Sequence, residues 1–320
     1  MSRFRGGGAL SVSPSGCHLI SGLRASLRLA ASFRRCGGSL GGRQGEDIGN
    51  APYSLVKNML IKKQNTLEYE ASPLIGVPHA FTTRLGGVST GILQSLNIAF
   101  KEGECMEHVE ENIRILAGAL GFDEKKLILT RQTHSDIVRV VTSADHQSLC
   151  HRDYPECDAL VTNDPGTALM VFTADCTPVL LWDSVTGAVG AAHAGWRGTA
   201  QRIAVKTARA MVERFGSRPE DIRAAIGPNI GLCHFETDAD VPEAILRAYG
   251  EEARQWIETR GEKFHLDLKE INALGLRQLG ISQIDVSGSC TACQPQRFWS
   301  HRVTRGQRGS QGAVIMCGEV

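Results

Sequence analysis

Between residues 127 and 226 the apolar positions fall in short runs rather than helical stripes. LILT at 127–130, IVRVVT at 137–142, DALVT at 158–162, ALMVF at 168–172 and IRAAI at 222–226 are each bounded by polar or turn-forming residues, the pattern of buried strands. In TADCTPVLLWDSVTGAVGAAHAGWRGT, at 173–199, one apolar run follows Cys176 and a second ends on His193, with the turn DSVTG between them. This predicts a β-hairpin. A short strand doubled back on itself returns close to its start, so Cys176 and His193 belong near the same end of one sheet.

Helical periodicity appears elsewhere. Apolar residues at 109, 113, 116 and 120 predict a helix over 107–120, closed near Gly121. A second helix is expected from Thr199, read as its N-cap, to Phe215 before Gly216. Helices are also predicted over 240–249 and 267–279, the latter opening on a capping-box pattern from Asp267 to Glu270. Residues 74–100 read as strand, Gly-rich turn and strand, and the tail ends on a strand, AVIMC.

The chain has 320 residues, 42% of them hydrophobic, enough for a large core, and a net charge of +1 that gives no bulk attraction to nucleic acid or membrane. Residues 1–45 carry seven Arg and no Asp, Glu or Lys, and setting those Arg aside leaves 28 basic residues against 34 acidic. Residues 1–58 are therefore expected to be an extension, either disordered or transit-like, ahead of a catalytic domain at 59–320. The expected location is cytoplasmic, or mitochondrial if the Arg-rich stretch is a transit peptide. Ten scattered cysteines without a secretory signal fit a reducing compartment. Cys290 and Cys293 form a lone CxxC, expected to be structural or incidental, and Cys233-His234 reads as ordinary loop.

A thiol and an imidazole brought together suit either a cysteine nucleophile with its base or two ligands of a metal such as zinc. His134, in the turn RQTHSD between two strand-like runs, is the candidate third group, and His/Cys/His would leave one tetrahedral position open. Gln132 and Asp136 are placed to orient His134. Asp158 and Asp175 fit acid/base or orienting roles, or strand-end carboxylates bonded to backbone. Arg84 beside Gly86-Gly87, and Arg197 between Gly195 and Gly198, are candidate anion contacts. Phe298, Trp299, His301 and Arg302 suit either a ring-binding surface or a packed corner.

The segments FTTRLGGVSTGILQSLNIAF, RQTHSDIV, TADCTPVLLWD, HAGWRGTA and IGPNIGLCHFE resemble the YfiH-type family, described as polyphenol oxidase (laccase domain) or purine nucleoside phosphorylase. The likeness runs from about Leu74 to the C-terminus. It implies one α+β domain of mixed sheets packed together with flanking helices, related to a cysteine-hydrolase fold, and zinc on His134, Cys176 and His193, with copper the alternative metal. It also implies phosphorolysis of adenosine, inosine, guanosine and S-methyl-5′-thioadenosine, and deamination of adenosine; the expected partners are purine nucleosides and phosphate, and the expected assembly is a monomer or homodimer. Asp175 joins the metal ligands as a catalytic candidate, and Arg84, Gln132 and Arg197 are candidate substrate contacts. Relatives often carry a second Arg after SHR, where this chain has Val303, which weakens the case for a substrate contact from the tail. Three rivals stand beside this reading: a copper polyphenol oxidase, a Cys176–His193 hydrolase acting on peptidoglycan precursors, and a non-enzymatic binding protein stapled by zinc, which a fourth ligand such as Cys157 or Cys233 would support.

Overall fold

The structure is a computed structural model that describes residues 59–100, 103–149 and 154–318. The expected N-terminal extension, 1–58, lies outside the described residues, as do Cys17, Cys36 and Cys150.

Strands buried on both faces need apolar residues at successive positions, and the hairpin at the centre of the chain has them. Its strands are β8 (Thr177–Asp183) and β9 (Val189–Ala194). The elements before it are β1 (Leu60–Gln64), β2 (Leu67–Ala71), β3 (His79–Thr82), α1 (Met106–Leu120), β4 (Leu127–Leu129), β5 (Val138–Val140), β6 (Ala159–Thr162) and β7 (Ala168–Thr173). After it come α2 (Trp196–Ala200), α3 (Ile203–Phe215), β10 (Ile222–Ile226), β11 (Glu236–Thr237), α4 (Asp240–Tyr249), β12 (Ile257–Arg260), β13 (Lys263–Leu266), α5 (Leu268–Gln278), β14 (Gln283–Val286), α6 (His301–Thr304) and β15 (Gln311–Met316).

Two six-stranded mixed sheets form, ordered β1-β2-β3-β15-β7-β4 and β14-β10-β8-β9-β6-β5, with a small sheet β11-β13-β12. The period-2 alternation of side chains divides the second sheet between two cores. Leu160, Leu180, Val189, Ala191 and Ala225 join the core shared with the first sheet and α1, where Val109, Ile113 and Leu116 supply the expected helical stripe. Val161, Val179, Leu181, Ala192, Ala224 and Ile226 face the opposite way, into a core with Ala204, Ala208 and Met211 of α3 and Ala273 and Leu276 of α5. Fully burying each of the larger side chains stabilises the fold by about 1.5–3 kcal/mol. The result is the expected α+β arrangement of packed mixed sheets with helices outside.

Three local expectations change. Residues 93–100 form no strand: Leu96 and Ile98 are buried, but Asn97 satisfies the local backbone, accepting from the Ala99 and Ser310 amides and donating to the Ala99 carbonyl. The helix expected from Thr199 starts at Trp196 and is interrupted at Arg202, whose φ of 61° ends α2 before α3 begins. Thr199 is buried inside α2 and accepts a hydrogen bond from Asn272 instead of capping a helix. The hairpin β1–β2 has no counterpart among the predicted elements, because LIKKQ is exposed throughout and lacks an apolar alternation.

Candidate metal centre

Register fixes the first two groups. Pro178 pairs with His193 and Thr177 with Ala194, so Cys176, one residue ahead of β8, lies beside the end of β9. His134 arrives from the turn after β4 with a φ of 60°, a left-handed conformation uncommon for a side-chain-bearing residue. One buried carboxylate holds it there. Asp158 accepts from the amides of Thr133 (3.0 Å), His134 (3.1 Å) and Ser135 (2.8 Å) and from the Ser135 hydroxyl (2.7 Å). The same carboxylate accepts from His193 Nδ1 at 2.7 Å, which commits that nitrogen as donor and leaves Nε2 as the ligand atom.

The Cys176 Sγ is 3.8 Å from His134 Nε2, the two imidazole rings are 5.0 Å apart, and the ligand atoms of all three residues lie within 4.8 Å of one another. Gly195 is needed beside them: a Cβ there would sit 2.9 Å from His134 Cδ2 and 3.2 Å from Cys176 Sγ. Neither Cys157 nor Cys233 joins the group, so among the described residues it stays a three-ligand set.

The electrostatics suit a cation. Burial pushes the Cys176 thiol up, but the His193 charge and hydrogen bonding to His134 and His193 outweigh it and bring the thiol down to about 6. Burial opposes protonation of His193, yet Cys176 and Asp158 raise it to about 9. Asp158 loses solvation by burial but is held at about 2 by His193, Ser135 and the turn amides. A metal needs the thiolate and neutral imidazoles, and this set favours the first while supplying a carboxylate to orient the second. The His/Cys/His donors fit zinc, and copper as well.

The group opens on a cavity of about 320 Å³. Trp196, Ile230, Phe235 and Leu268 give it apolar walls, Arg197, Arg302 and Arg308 bring positive charge, and His301 lies beside them. Arg197 therefore lies where the sequence suggests, its guanidinium 4.3 Å over the Trp196 ring. Asp175 also lines the cavity, at a φ of 89°, with one carboxylate oxygen accepting from the Thr291 hydroxyl (2.6 Å) and the other from the Arg302 amide (2.7 Å).

Other expected contacts fall elsewhere. The Arg84 guanidinium donates to the carbonyls of Gln94 and Pro295 and stacks 3.7 Å over Trp299, off this cavity. The Gln132 amide clamps the backbone of Phe172 through both its ends and lines a different cavity. Asp136 pairs with Lys206, and Asp158 does the orienting expected of Asp136 and Gln132. Phe298 and Trp299 are fully buried and form the packed corner, while His301 and Arg302 beside them face the cavity. Arg308 is the residue that sequence reasoning missed; its only signal was a basic, Gly-flanked setting in TRGQRG.

Residues 78–318 match the family described as multi-copper polyphenol oxidoreductase laccase. A Deinococcus radiodurans protein named purine nucleoside phosphorylase is 42% identical over 247 residues, covering 76% of this chain and 90% of the relative. Purine nucleoside phosphorylase YlmD of Geobacillus stearothermophilus is 36% identical over 252 residues, covering 77% and 92%. The crystal structure of YlmD from that organism superposes with a TM-score of 0.76 at 34% identity, over 82% of this chain and 100% of that one. The Bacillus licheniformis hypothetical protein YfiH gives 0.74 at 34% identity, over 79% and 97%. With the family match and these likenesses spanning most of its length, the chain belongs to the YfiH/YlmD family, the one described as multi-copper polyphenol oxidoreductase laccase.

Proposed function

We propose that this chain is a zinc-dependent purine nucleoside phosphorylase centred on His134, Cys176 and His193. The cavity carries the reading: apolar walls that suit a flat base meet a thiol–imidazole floor, with the guanidinium groups of Arg197 and Arg308 and the imidazole of His301 at hand for phosphate. The names of the Deinococcus and Geobacillus relatives support it. Zinc held by His134, Cys176 and His193 would supply Lewis-acid chemistry and a nucleophile active near neutral pH.

The chain's own residues position the reaction. A phosphate oxygen bonds to C1′ of the ribose as the C1′–N9 bond breaks, the bonding pair leaves with the purine, and the proton of the hydrogenphosphate passes to the purine. Arg197 and Arg308 neutralise and orient the phosphate, while the walls of Trp196, Ile230, Phe235 and Leu268 hold the base and exclude competing water. Asp175 acts as a positioning residue, because both of its oxygens are engaged in tying Thr291 and Arg302 to the segment that bears Cys176. The proposed substrates are adenosine, inosine, guanosine and S-methyl-5′-thioadenosine. Three candidate metal ligands on the cavity that would hold the base support adenosine deamination as a second activity.

Incubating the purified, zinc-loaded full chain with adenosine, with and without phosphate, and separating the products by chromatography tests this. Adenine and ribose 1-phosphate are expected only when phosphate is present; inosine formed without phosphate reports the deaminase. No product in either condition contradicts the reading and favours the Cys176–His193 hydrolase, whose thiol and imidazole lie within 4.8 Å of each other. The copper polyphenol oxidase is the weaker rival: among the described residues the convergent groups are this one and a Cys-rich one, and the sequence has no His-x-His pair.

A further inference from the structure

Cys233-His234 and the CxxC of Cys290 and Cys293, ordinary by sequence spacing, come together in the fold. Cys233 Sγ is 3.6 Å from Cys290 Sγ and 3.4 Å from Cys293 Sγ. His234 Nδ1 is 3.2 Å from Cys233 Sγ, 3.9 Å from Cys290 Sγ and 3.4 Å from Cys293 Sγ. Tetrahedral zinc with Zn–S of ~2.3 Å and Zn–N of ~2.0 Å has edges of about 3.8 Å between sulfurs and about 3.5 Å between sulfur and nitrogen. The sulfur–nitrogen separations straddle their edge, and the two sulfur–sulfur separations fall within about 0.4 Å below theirs. Neighbours in sequence seldom reach one ion, but His234 does so through Nδ1, the nitrogen nearer its backbone, which shortens its reach to match that of Cys233. The Gly231 amide donates to Cys290 Sγ at 3.2 Å, a bond that favours the thiolate a metal requires.

We propose that Cys233, His234, Cys290 and Cys293 form a second zinc site, closed by four protein ligands and structural in role. It reaches beyond the nucleoside reading and stands without it. The ion would pin the loop at 229–236 to the turn at 290–293, and both lead to the cavity. Thr291, inside the CxxC turn, donates to Asp175, and Arg302 bonds the carbonyls of His234 (2.9 Å) and Glu236 (3.0 Å) while its amide donates to Asp175. Ile230 and Phe235, on the same loop, form part of the cavity wall. A closed site offers no position to substrate, so its effect on activity runs through these contacts.

Cobalt(II) substitution of the reduced full chain tests this independently of turnover, because each thiolate ligand contributes to the thiolate-to-cobalt charge-transfer absorption. Wild type is expected to hold about two ions per chain with four thiolate ligands in all. Cys176→Ala, which leaves the Cys-rich group intact, is expected to retain one ion and about three quarters of the charge-transfer intensity. Adding Cys293→Ser to that variant should remove most of what remains. Wild type holding a single ion that Cys176→Ala abolishes, or a Cys176→Ala spectrum unchanged by Cys293→Ser, would overturn the proposal.

Discussion

Replacing Cys176 by Ala is expected to lower kcat/KM for adenosine phosphorolysis by at least about a thousandfold, since losing a metal centre removes several kcal/mol of transition-state stabilisation. The thiol is half-buried at a strand end beside the cavity and belongs to none of the cores, so the melting temperature of the metal-free protein should barely change. Thermal unfolding of the stripped proteins, set beside steady-state rates of the zinc-loaded ones, separates the two effects. A variant that keeps its rate within tenfold of wild type would remove Cys176 from the chemistry.

Asp158→Asn is expected to damage both stability and metal binding. The carboxylate accepts five hydrogen bonds, three on one oxygen and two on the other, and an amide offers a single acceptor oxygen. Whichever way it turns, an NH2 group faces donors, and each buried donor left unmet costs about 1–3 kcal/mol. A loss of about 3–5 kcal/mol follows for a broken buried network, or roughly 6–20 °C in melting temperature for a domain this large. Zinc affinity should fall about 10–100-fold, as it does when the partner that orients a ligating His is lost.

The pH dependence has a definite sign. Because the folded-state pKa of Asp158 is lowered from 3.8 to about 2, its ionised form stabilises the fold above pH 3.8, and that contribution, on the order of 2 kcal/mol, is lost as pH falls through about 2. The stability gap between wild type and Asp158→Asn should therefore narrow between pH 4 and pH 2 in denaturant titrations. A gap constant across that window would mean that Asp158 is not held ionised by this network.

The parts of the site that could be read in the sequence are those set by local pattern. The hairpin β8–β9 follows from two apolar runs and a turn, and its register alone brings Cys176 to His193. The stripe of α1 and the helix opening at Asp267 were legible for the same reason, as periodicity or a cap is visible within a few residues. What was not legible depends on contacts across the chain. Asp158 was a candidate for an orienting role, but its target was not readable: it holds a turn 24 residues upstream, whereas neighbourhood in sequence pointed to Gln132 and Asp136, which face other partners. Arg84 carries the right charge beside the right glycines, yet its guanidinium is occupied by carbonyls of 94 and 295. Arg308 enters the cavity from the C-terminal tail, and Cys233 meets Cys290 across 57 residues, separations over which spacing carries no signal.

Stripping the full chain of metal with a chelator, restoring zinc, and following ribose 1-phosphate formation from adenosine and phosphate tests the central claim most directly. The account predicts that turnover disappears on stripping, returns with zinc in wild type, and stays absent in Cys176→Ala. Undiminished turnover by the stripped protein, or recovery by the variant, would contradict it.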